Sequence, residues 1–482
     1  MNRSIRAVTI FSFVLVAILI ANLTYIQVFQ QESLAENPRN TRQFLEAKTQ
    51  ERGRITAGDQ VLAQSVKDSD GFYNREYPYD PAAFGSVVGY LSDRFGAAGI
   101  EASQNSILTG QDDSLFAQQT WHMLTGKEPA GANVDLTLIP SVQNVAHQQL
   151  AQKGYSGSVV AIKPSTGEIL AMASTPSFNP SLITGPDAET DQANFENYAN
   201  DPSSPFLNRS TQQIQPPGST FKVITTAAAL EAGDTPDTTV TAQPQITLPD
   251  TTTTLENYDG TRCGGGDTTT LLNAFRRSCN TAFAELAMRH GADALKDVAR
   301  KFGVGEPIDG LGLPVQTSQI GEIPDKPALA QSAIGQRDVA LTPLQNAVIA
   351  ATIANGGKRM EPHLIHQITG PDMATLRTTK PKSEGQAVPP EVAETIKGLM
   401  VQAEEWAGGD STIASKTGTA EHGEDSRDSK PHAWYIAFST TKDVAVAVLV
   451  ENGGDRGQAA TGGSVAAPIG RAVIRAAEQE QQ

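Results

Sequence analysis

The chain has 482 residues, and its 39% hydrophobic and 19% charged content is typical of a folded protein. This length exceeds what one ordinary hydrophobic core holds, so we expect two soluble domains. The net charge is −16 and no basic stripe stands out, which argues against a nucleic-acid partner. His363 and His366 have no Cys or acidic residue beside them, so we interpret them as surface or loop histidines and predict no metal site.

An apolar segment from Ala7 to Phe29 predicts an uncleaved membrane anchor within residues 1–30. As a helix it spans about 34 Å at 1.5 Å per residue, and a hydrocarbon core is about 30 Å thick. Arg3 and Arg6 flank its start and Glu32 is the first charge beyond it, so the N-terminus is predicted to be cytoplasmic. A cleaved signal peptide is the alternative, but the run is long for one. Both interpretations export the rest of the chain.

The only two cysteines, Cys263 and Cys279, are a disulfide candidate because the chain is predicted to be exported. A bridge would close a loop of about 15 residues, worth roughly 3 kcal/mol in the chain-entropy model. Glycines at 264–266 would let the backbone turn there. Two buried free thiols are the alternative.

After the anchor we predict a small mixed α/β domain over 31–150, here called the pedestal, and a second domain over 151–482. The pedestal ends in a strand at Val134–Leu138 and a helix capped by Ser141. The second domain opens with an apparent hairpin and ends with two strands and a helix. These elements are Ser158–Ile162, Glu168–Ala173, Trp434–Ser439, Val444–Glu451 and Val465–Ala477.

Strands at both ends of the second domain enclose a mainly helical middle, which predicts an antiparallel sheet with helices on its faces, an α+β architecture. Residues 240–270 are rich in Thr, Pro and Gly, and residues 361–390 carry five prolines. We predict both stretches as exposed excursions, although Thr-rich segments can also hide edge strands.

Three short motifs follow one another in the second domain. They are Ser219-Thr220-Phe221-Lys222, Ser278-Cys279-Asn280 and Lys416-Thr417-Gly418-Thr419. Each motif alone is weak and is also typical of a helix cap, a capping loop or an exposed strand. S-x-x-K recurs at Ser439–Lys442, and S-x-N recurs at Ser103–Asn105 and Ser177–Asn179, whereas Lys-Thr-Gly occurs once. Their order on an exported chain predicts an active-site serine acting on an acyl-D-Ala-D-Ala-type substrate.

Ser219 follows two prolines and a glycine and opens an apolar run through Leu230, so it is predicted at a helix N-terminus. Lys222 is three residues further on and therefore on the same helix face. A free lysine titrates near 10.4, so a lysine that accepts a proton needs a lowered pKa. A second cation about 4 Å away is worth about 4 kcal/mol at an effective dielectric constant near 20. Lys416 is the candidate for this cation, with burial adding to the shift.

The second motif offers a hydroxyl at Ser278 that can pass a proton to a leaving amine. Its Asn280 amide can orient Lys222 and the substrate backbone. The third motif lies in Ile413–Ala420, which is predicted as an edge strand that pairs with an extended peptide. Gly418 is predicted to leave room for that peptide.

Lys416 and the hydroxyls of Thr417 and Thr419 can bind a terminal carboxylate. The backbone N–H groups of Ser219 and Thr419 would form an oxyanion hole, in which one donor is worth roughly 3–4 kcal/mol.

These motifs resemble those of the penicillin-binding transpeptidases, and the chain is similar to class B members, especially an actinobacterial group of them. Further family-like segments are Arg52–Ile55, Val159–Ala161, Pro164–Met172 and Gly335-Gln336. One departure is that the acidic-Arg-Asn-Gly sequence usual after Arg52–Ile55 is Thr56–Asp59 here. The resemblance implies a transmembrane helix, a pedestal and a serine β-lactamase-like domain whose five-stranded antiparallel sheet is flanked by helices.

The resemblance also implies an activity. Ser219 would attack a donor stem peptide and expel its terminal D-Ala, and an amine of a neighbouring stem peptide would resolve the acyl-enzyme. Lys222 would be the base, Ser278 and Asn280 would relay protons, and no metal or organic cofactor is implied. Implied partners are stem peptides on lipid-linked glycan strands, β-lactam antibiotics, and a polytopic glycan polymerase in the membrane.

Four rival functions share some of these features. A class A enzyme needs a glycosyltransferase domain, and only about 110 residues separate the anchor from the first strand of the second domain. A β-lactamase has no use for an anchor or a pedestal, and its deacylating base cannot be placed here. A carboxypeptidase, with water as acceptor, and a binding scaffold without turnover stay open as alternatives.

Overall fold

The computed structural model describes residues 3–29, 48–112, 115, 130–421 and 429–481. Glu32 and the parts of the predicted pedestal in 30–47, 113–114 and 116–129 lie outside these ranges. The α-helices are Arg3–Phe29, Pro81–Val88, Gly99–Ser103, Asn105–Leu108, Pro140–Ala151, Ala188–Asn200, Arg209–Gln212, Lys222–Glu231, Leu271–Arg277, Asn280–His290, Ala292–Lys301, Lys326–Ser332, Pro343–Ala354, Pro390–Trp406 and Ala467–Gln479.

The N-terminal helix, Arg3–Phe29, has 27 residues. Its segment Ile5–Ile26 has a mean hydropathy of 2.4, and none of its most apolar window is buried against the rest of the chain. A helix of this length and composition can cross a hydrocarbon core. The prediction of one N-terminal apolar helix suited to membrane anchoring is therefore confirmed.

The sheet of the second domain, called the catalytic sheet here, has five strands, all antiparallel to their neighbours. In spatial order they are Ile413–Ala420, His432–Ser439, Ala445–Val450, Gly157–Ile162 and Ile169–Thr175. Ile413–Ala420 is an edge strand. Ala445–Val450, the last strand in the sequence, pairs with Gly157–Ile162, the first strand of the hairpin. The predicted hairpin, late strands and five-stranded antiparallel sheet are confirmed.

Alternate residues of the catalytic sheet enter two separate apolar cores. Val159 and Ala161 face a core that includes the helices Pro140–Ala151 and Ala467–Gln479. Val160 and Ile162 face a larger core that includes the almost wholly buried helix Pro343–Ala354. The sheet is thus covered on both faces, and every strand except the motif-bearing edge strand and Ile169–Thr175 is enclosed between two neighbours.

One helix start differs from the sequence prediction. Helix Pro140–Ala151 begins with proline in its first turn and has Ile139 at the N-cap position. Ser141 lies inside the helix, and its hydroxyl donates to Glu480 Oε1 at 2.7 Å. Proline suits a first helical position because its missing N–H would be unpaired there. Ser141 therefore joins two helices and caps neither.

A second sheet, the pedestal sheet, has six strands. In spatial order they are Thr375–Thr378, Ile365–Thr369, Asn133–Leu136, Ile55–Ala57, Gln60–Lys67 and Tyr73–Glu76. Only Ile55–Ala57 and Asn133–Leu136 pair in parallel. The prediction of 361–390 as an exposed excursion is wrong for its first part, because Ile365–Thr369 pairs with Asn133–Leu136 and buries Ile368, whereas 371–386 is mostly exposed.

The interpretation of the two histidines as surface or loop residues holds in that His363 lies outside the strands and His366 is exposed, but it misses the burial of His363. His363 is buried beside the hairpin of the catalytic sheet, where its carbonyl accepts a hydrogen bond from Ile169 N at 3.0 Å. His366 is more exposed, and its Nδ1 lies 3.7 Å from Glu168 Oε1.

The limits of the pedestal at residues 31 and 150 stay a prediction. Chain segments cross between the two sheets in both directions. Helix Pro140–Ala151 packs on the catalytic sheet, and Ile365–Thr369 comes from the second domain but joins the pedestal sheet. The sheets are therefore connected through more than one covalent link.

Residues 240–270 are predicted as an exposed excursion that can also hide edge strands, and they contain two short antiparallel strand pairs. Thr239–Thr241 pairs with Thr268–Thr270, and Gln245–Thr247 pairs with Thr254–Glu256. Val240, Leu248 and Leu255 are buried. Although most threonines in this stretch are exposed, as expected, these apolar side chains fix it against the helical core.

Candidate active site

The turn that carries Ser219 is a short 3-10 helix, Gly218–Phe221, followed by the α-helix Lys222–Glu231. Ser219 is predicted at a helix N-terminus, and it lies half-buried in the 3-10 turn that runs directly into the α-helix. Gly218 and Gly335 both have positive φ, 53° and 72°, and Gly218 N donates to Gly335 O at 2.9 Å. A side chain on Gly335 would overlap Gly218 O, so glycine is required for this contact.

The catalytic sheet approaches the Ser219 turn through Gly418. A β-carbon at Gly418 would lie 2.7 Å from Pro217 O, so the strand can only approach this closely with glycine there. That Gly418 makes room for the substrate stays a prediction, and the packing of the strand against the nucleophile turn is a second requirement for glycine here. Trp434 Nε1 on the neighbouring strand donates to Pro216 O at 2.8 Å and supports the same turn.

Lys222 is completely buried, and its amine donates to the second motif. Its Nζ lies 2.8 Å from Asn280 Oδ1, 2.7 Å from Ser278 O and 3.3 Å from Ser278 Oγ. The amine also lies 5.3 Å from the ring centroid of Phe283. The predicted meeting of the first and second motifs is therefore present in the geometry.

Lys416 reaches the same serine from the edge strand. Its Nζ lies 2.8 Å from Ser278 Oγ and 3.1 Å from Thr417 O. The Ser278 hydroxyl is thus within hydrogen-bond distance of both lysine amines, one from each side. All three motifs meet at this one oxygen.

Burial is the larger cause of the lowered Lys222 pKa, and Lys416 is the second. The buried site holds the pKa of Lys222 well below its usual 10.5, and the Lys416 cation lowers it further. Burial also lowers the pKa of Lys416 to about 7. The sequence predicts the Lys416 charge as the main cause of the lowered Lys222 pKa and burial as an addition. The order of the two causes is the reverse, because water is excluded from both amines.

Ser278 has a left-handed backbone with φ 63° and ψ 43° and ends the helix Leu271–Arg277. A residue with a β-carbon pays of order 1–2 kcal/mol in this conformation. The conformation turns both the carbonyl and the hydroxyl of Ser278 towards the Lys222 amine. Backbone strain at a site of converging polar groups is typical of a functional residue.

The segment before the second motif forms a wall of the site. The predicted disulfide between Cys263 and Cys279 is present, with Cα atoms 6.0 Å apart. Asn280 Nδ2 donates to the backbone carbonyl of Glu256 at 2.8 Å. Sequence reasoning missed Glu256, because a backbone oxygen carries no residue-type signal.

A buried carboxylate supports the edge strand. Glu404 is completely buried and accepts hydrogen bonds from Ser415 Oγ, from Tyr435 OH at 2.9 Å and from Arg471 Nε at 2.6 Å. Ser415 immediately precedes Lys416, so this group fixes the strand from its far side. Sequence reasoning missed it too, because Glu404 gives no local signal within its helix.

The other copies of the short motifs lie away from these contacts. Ser439 Oγ donates to Glu478 Oε1 at 2.6 Å, next to the C-terminal helix. Ser177 Oγ donates to Ala82 O at 2.8 Å.

Thr417 and Thr419, predicted to bind a carboxylate, are partly exposed on the edge strand, and the Thr419 hydroxyl lies 3.4 Å from Gly462 N.

Comparisons with known proteins agree with this arrangement. Residues 157–475 match the family model for the penicillin binding protein transpeptidase domain, and residues 52–134 match that for the penicillin binding protein A dimerisation domain. The peptidoglycan D,D-transpeptidase PbpA of Mycolicibacterium smegmatis is 50% identical over 492 residues, covering 100% of both chains. PbpA of Mycobacterium tuberculosis is 47% identical over 490 residues, covering 99% of both chains.

A solved structure is similar over most of the chain. The penicillin G acyl-enzyme complex of penicillin-binding protein A from M. tuberculosis has a TM-score of 0.86 and 49% identity. The match covers 89% of this chain and 100% of that one.

The chain belongs to the penicillin-binding protein transpeptidase family. The predicted class B architecture, with an N-terminal apolar helix, a non-catalytic domain and a transpeptidase domain, is confirmed. The identity of about half the residues to the two mycobacterial proteins also confirms the predicted resemblance to an actinobacterial group.

Proposed function

We propose that the meeting point of the three motifs is the catalytic site of a peptidoglycan D,D-transpeptidase that β-lactams acylate. The proposed catalytic residues are Ser219, Lys222, Ser278, Asn280 and Lys416, and the proposed donor-binding residues are Thr417, Gly418 and Thr419. The observation that carries the proposal is the Ser278 hydroxyl, which lies 3.3 Å from Lys222 Nζ and 2.8 Å from Lys416 Nζ.

In the acylation step, the neutral Lys222 amine takes the proton of the Ser219 hydroxyl. The Ser219 oxygen then bonds to the carbonyl carbon of the penultimate D-Ala of the donor. The N–H groups of Ser219 and Thr419 would donate to the negative oxygen that forms. The lowered pKa of Lys222 supports this role, because a lysine with its usual pKa is protonated at neutral pH.

The leaving D-Ala needs a proton on its nitrogen as the peptide C–N bond breaks. The Ser278 hydroxyl can give its own proton to that nitrogen and take one from the Lys222 ammonium. Lys416 would meanwhile hold the donor carboxylate together with Thr417 and Thr419. A carboxylate beside Lys416 favours the charged amine and raises its pKa above the value of about 7 that burial alone gives.

In the second half-reaction, the amine of a neighbouring stem peptide attacks the acyl ester and restores Ser219. The same relay runs in reverse, with Lys222 returning the proton to the Ser219 oxygen. Water in place of the amine would give a carboxypeptidase, and the geometry of these groups suits either acceptor.

We further propose that the N-terminus is cytoplasmic and that the catalytic site lies outside the membrane. Arg3 and Arg6 at the start of the apolar helix support this orientation. Residues 31–150 would form the pedestal, and 151–482 the catalytic domain. A polytopic glycan polymerase would be the membrane partner that supplies the glycan strands bearing the stem peptides.

Intact-mass spectrometry with penicillin tests the nucleophile. The full-length protein in detergent should gain one penicillin mass, and Ser219→Ala should gain none. An adduct on Ser219→Ala would place the nucleophile elsewhere. Incubating the protein with a pentapeptide donor and an amine acceptor then separates a cross-linked product from simple loss of D-Ala, and only loss of D-Ala would favour the carboxypeptidase.

A further inference from the structure

The Asn280 amide has a neighbour at each end. Its oxygen accepts a hydrogen bond from Lys222 Nζ at 2.8 Å, and its nitrogen donates to Glu256 O at 2.8 Å. A backbone carbonyl accepts hydrogen bonds and never donates them. The Glu256 carbonyl therefore decides which end of the amide faces Lys222.

The Glu256 carbonyl is held in place by the next residue, Asn257. The Asn257 side chain is 5% exposed, and its nitrogen donates to Gln243 O at 2.9 Å and to Thr261 O at 3.0 Å. Its oxygen accepts from Thr281 N at 3.0 Å, and the Thr281 hydroxyl lies 3.2 Å from this oxygen and 2.9 Å from Gln243 O. Both donors of this amide are occupied by carbonyls and its oxygen accepts from a backbone N–H, so its orientation is determined.

Two attachments therefore enclose Asn280 in the chain. The disulfide joins Cys279 to Cys263 on one side, and Asn257 binds Thr281 on the other. Both tie the start of helix Asn280–His290 to the segment that presents the Glu256 carbonyl. The disulfide cannot select a side-chain orientation at Asn280 by itself, because it contacts only the preceding residue.

We propose that Asn257 is a positioning residue for acyl transfer, which acts through the Glu256 carbonyl and keeps the Asn280 oxygen on Lys222. The inference rests on the proposed roles of Lys222 and Asn280. Without the Asn257 side-chain contacts the Glu256 carbonyl keeps only its backbone strand pairing and shifts, so it no longer fixes the orientation of the Asn280 amide. Its NH₂ end can then face Lys222, which removes an acceptor from the amine and misplaces the base.

The test measures the second-order rate constant of acylation by penicillin, per titrated active site, between about pH 5.5 and 9. The full-length protein in detergent is compared with Asn257→Ala and Asn257→Asp. We expect Asn257→Ala to slow acylation by about 10- to 100-fold, the order of loss that an ångström-scale misplacement gives. The acidic limb of its pH profile should move to lower pH, because the protonated amine loses an acceptor. Asn257→Asp keeps the acceptors for Thr281 and loses both donors, so an intermediate rate is expected.

Asn208→Ala is the matched control. Asn208 is also 5% exposed, and its side chain contacts Ser86 O at 3.1 Å and Ser210 N at 3.1 Å, neither of which belongs to a motif. We expect it to lower the melting temperature while the acylation rate per titrated site stays within about two-fold of the wild type. Normalising by titrated sites keeps partial unfolding out of the comparison.

Asn280→Ala and the double variant decide whether Asn257 acts through Asn280. We expect Asn257→Ala to add nothing in the Asn280→Ala background, because coupled residues are non-additive. A full additional loss there overturns the inference, as does a wild-type rate and pH profile for Asn257→Ala. If Asn280→Ala itself acylates normally, the proposed role of Asn280 fails as well. If Asn257→Ala yields no titratable site, Asn257→Asp supplies the same comparison.

Discussion

Two groups of buried cations, one in each sheet region, show opposite solutions to the same electrostatic problem. In the pedestal, Arg52 and Arg75 share one completely buried carboxylate, Glu101, through contacts of 2.8 Å and 2.6 Å. At the catalytic site, Lys222 and Lys416 donate to a hydroxyl, an amide oxygen and carbonyls, all of them neutral. The two arginines, whose charges are balanced by a carboxylate, stabilise the fold. The two lysines donate here only to neutral groups, so they lose their protons more readily and can act in proton transfer.

The choice of side chain follows the same division. An arginine stays charged in proteins and has a planar fork that can serve several acceptors at once. Arg52 uses this fork to reach Glu101 Oε2, Glu101 O and Asn105 Oδ1. A lysine amine has a pKa that burial can bring near neutrality, which is what a proton acceptor needs.

The largest effect is expected from removing the catalytic amine. Lys222→Met should slow acylation by penicillin by about 10²- to 10⁴-fold, the usual contribution of a general base. Its folded structure should persist, because methionine fills most of the volume of the buried lysine and carries no amine that burial destabilises. The rate of adduct formation by mass spectrometry and a thermal melt by circular dichroism measure the two properties. A loss of less than tenfold would contradict the role of Lys222 as the base.

Removing the Glu101 carboxylate from the pedestal should lower the stability of the protein and leave catalysis unchanged. Glu101→Gln leaves two buried guanidinium groups without their carboxylate, so we expect a loss of about 3–5 kcal/mol in the free energy of unfolding. Urea denaturation measures this loss, and acylation per titrated site is the second readout. The control is Glu394→Gln, an exposed partner of Lys397, which should change stability by about 0.5 kcal/mol or less. Equal losses in the free energy of unfolding for Glu101→Gln and Glu394→Gln would contradict a stabilising role of the buried carboxylate.

The sequence predicts the elements whose signal is local. The edge strand Ile413–Ala420, the hairpin and the late strands follow from apolar alternation, and the meeting of Lys222, Ser278 and Lys416 follows from the three short motifs. The bridge between the two cysteines also follows, because no other pairing is available.

What the sequence does not predict is non-local. Ile365–Thr369 pairs with a strand more than 200 residues away, and nothing in its proline-bearing surroundings names that partner. The Glu256 carbonyl is a backbone atom, common to every residue type. The left-handed conformation of Ser278 also escapes prediction, since it is maintained by contacts with Lys222 from another segment.

The disulfide offers a smaller perturbation of the catalytic wall. Cys263→Ser with Cys279→Ser should lower the free energy of unfolding by about 3 kcal/mol, because the unfolded chain regains the freedom of a loop of about 15 residues. Thermal melts with and without a reductant measure the loss. The reductant should bring the wild type to the level of the double variant and leave the variant unchanged. A wild type that is indifferent to full reduction, verified by thiol labelling, would argue against a stabilising bridge.

The smallest expected effect tests the interaction between the two lysines. The Lys416 cation lowers the Lys222 pKa, so Lys416→Met should raise it and move the acidic limb of the acylation profile to higher pH. Burial stays the larger cause, so the Lys222 pKa should remain below its usual range even in this variant. Saturating penicillin separates this shift from weaker binding. Since Asn257→Ala is expected to move the same limb to lower pH, opposite shifts in the two variants would show that the cation and the amide orientation act on one amine. A limb that stays in place in Lys416→Met would mean that the second lysine serves only to bind the donor carboxylate.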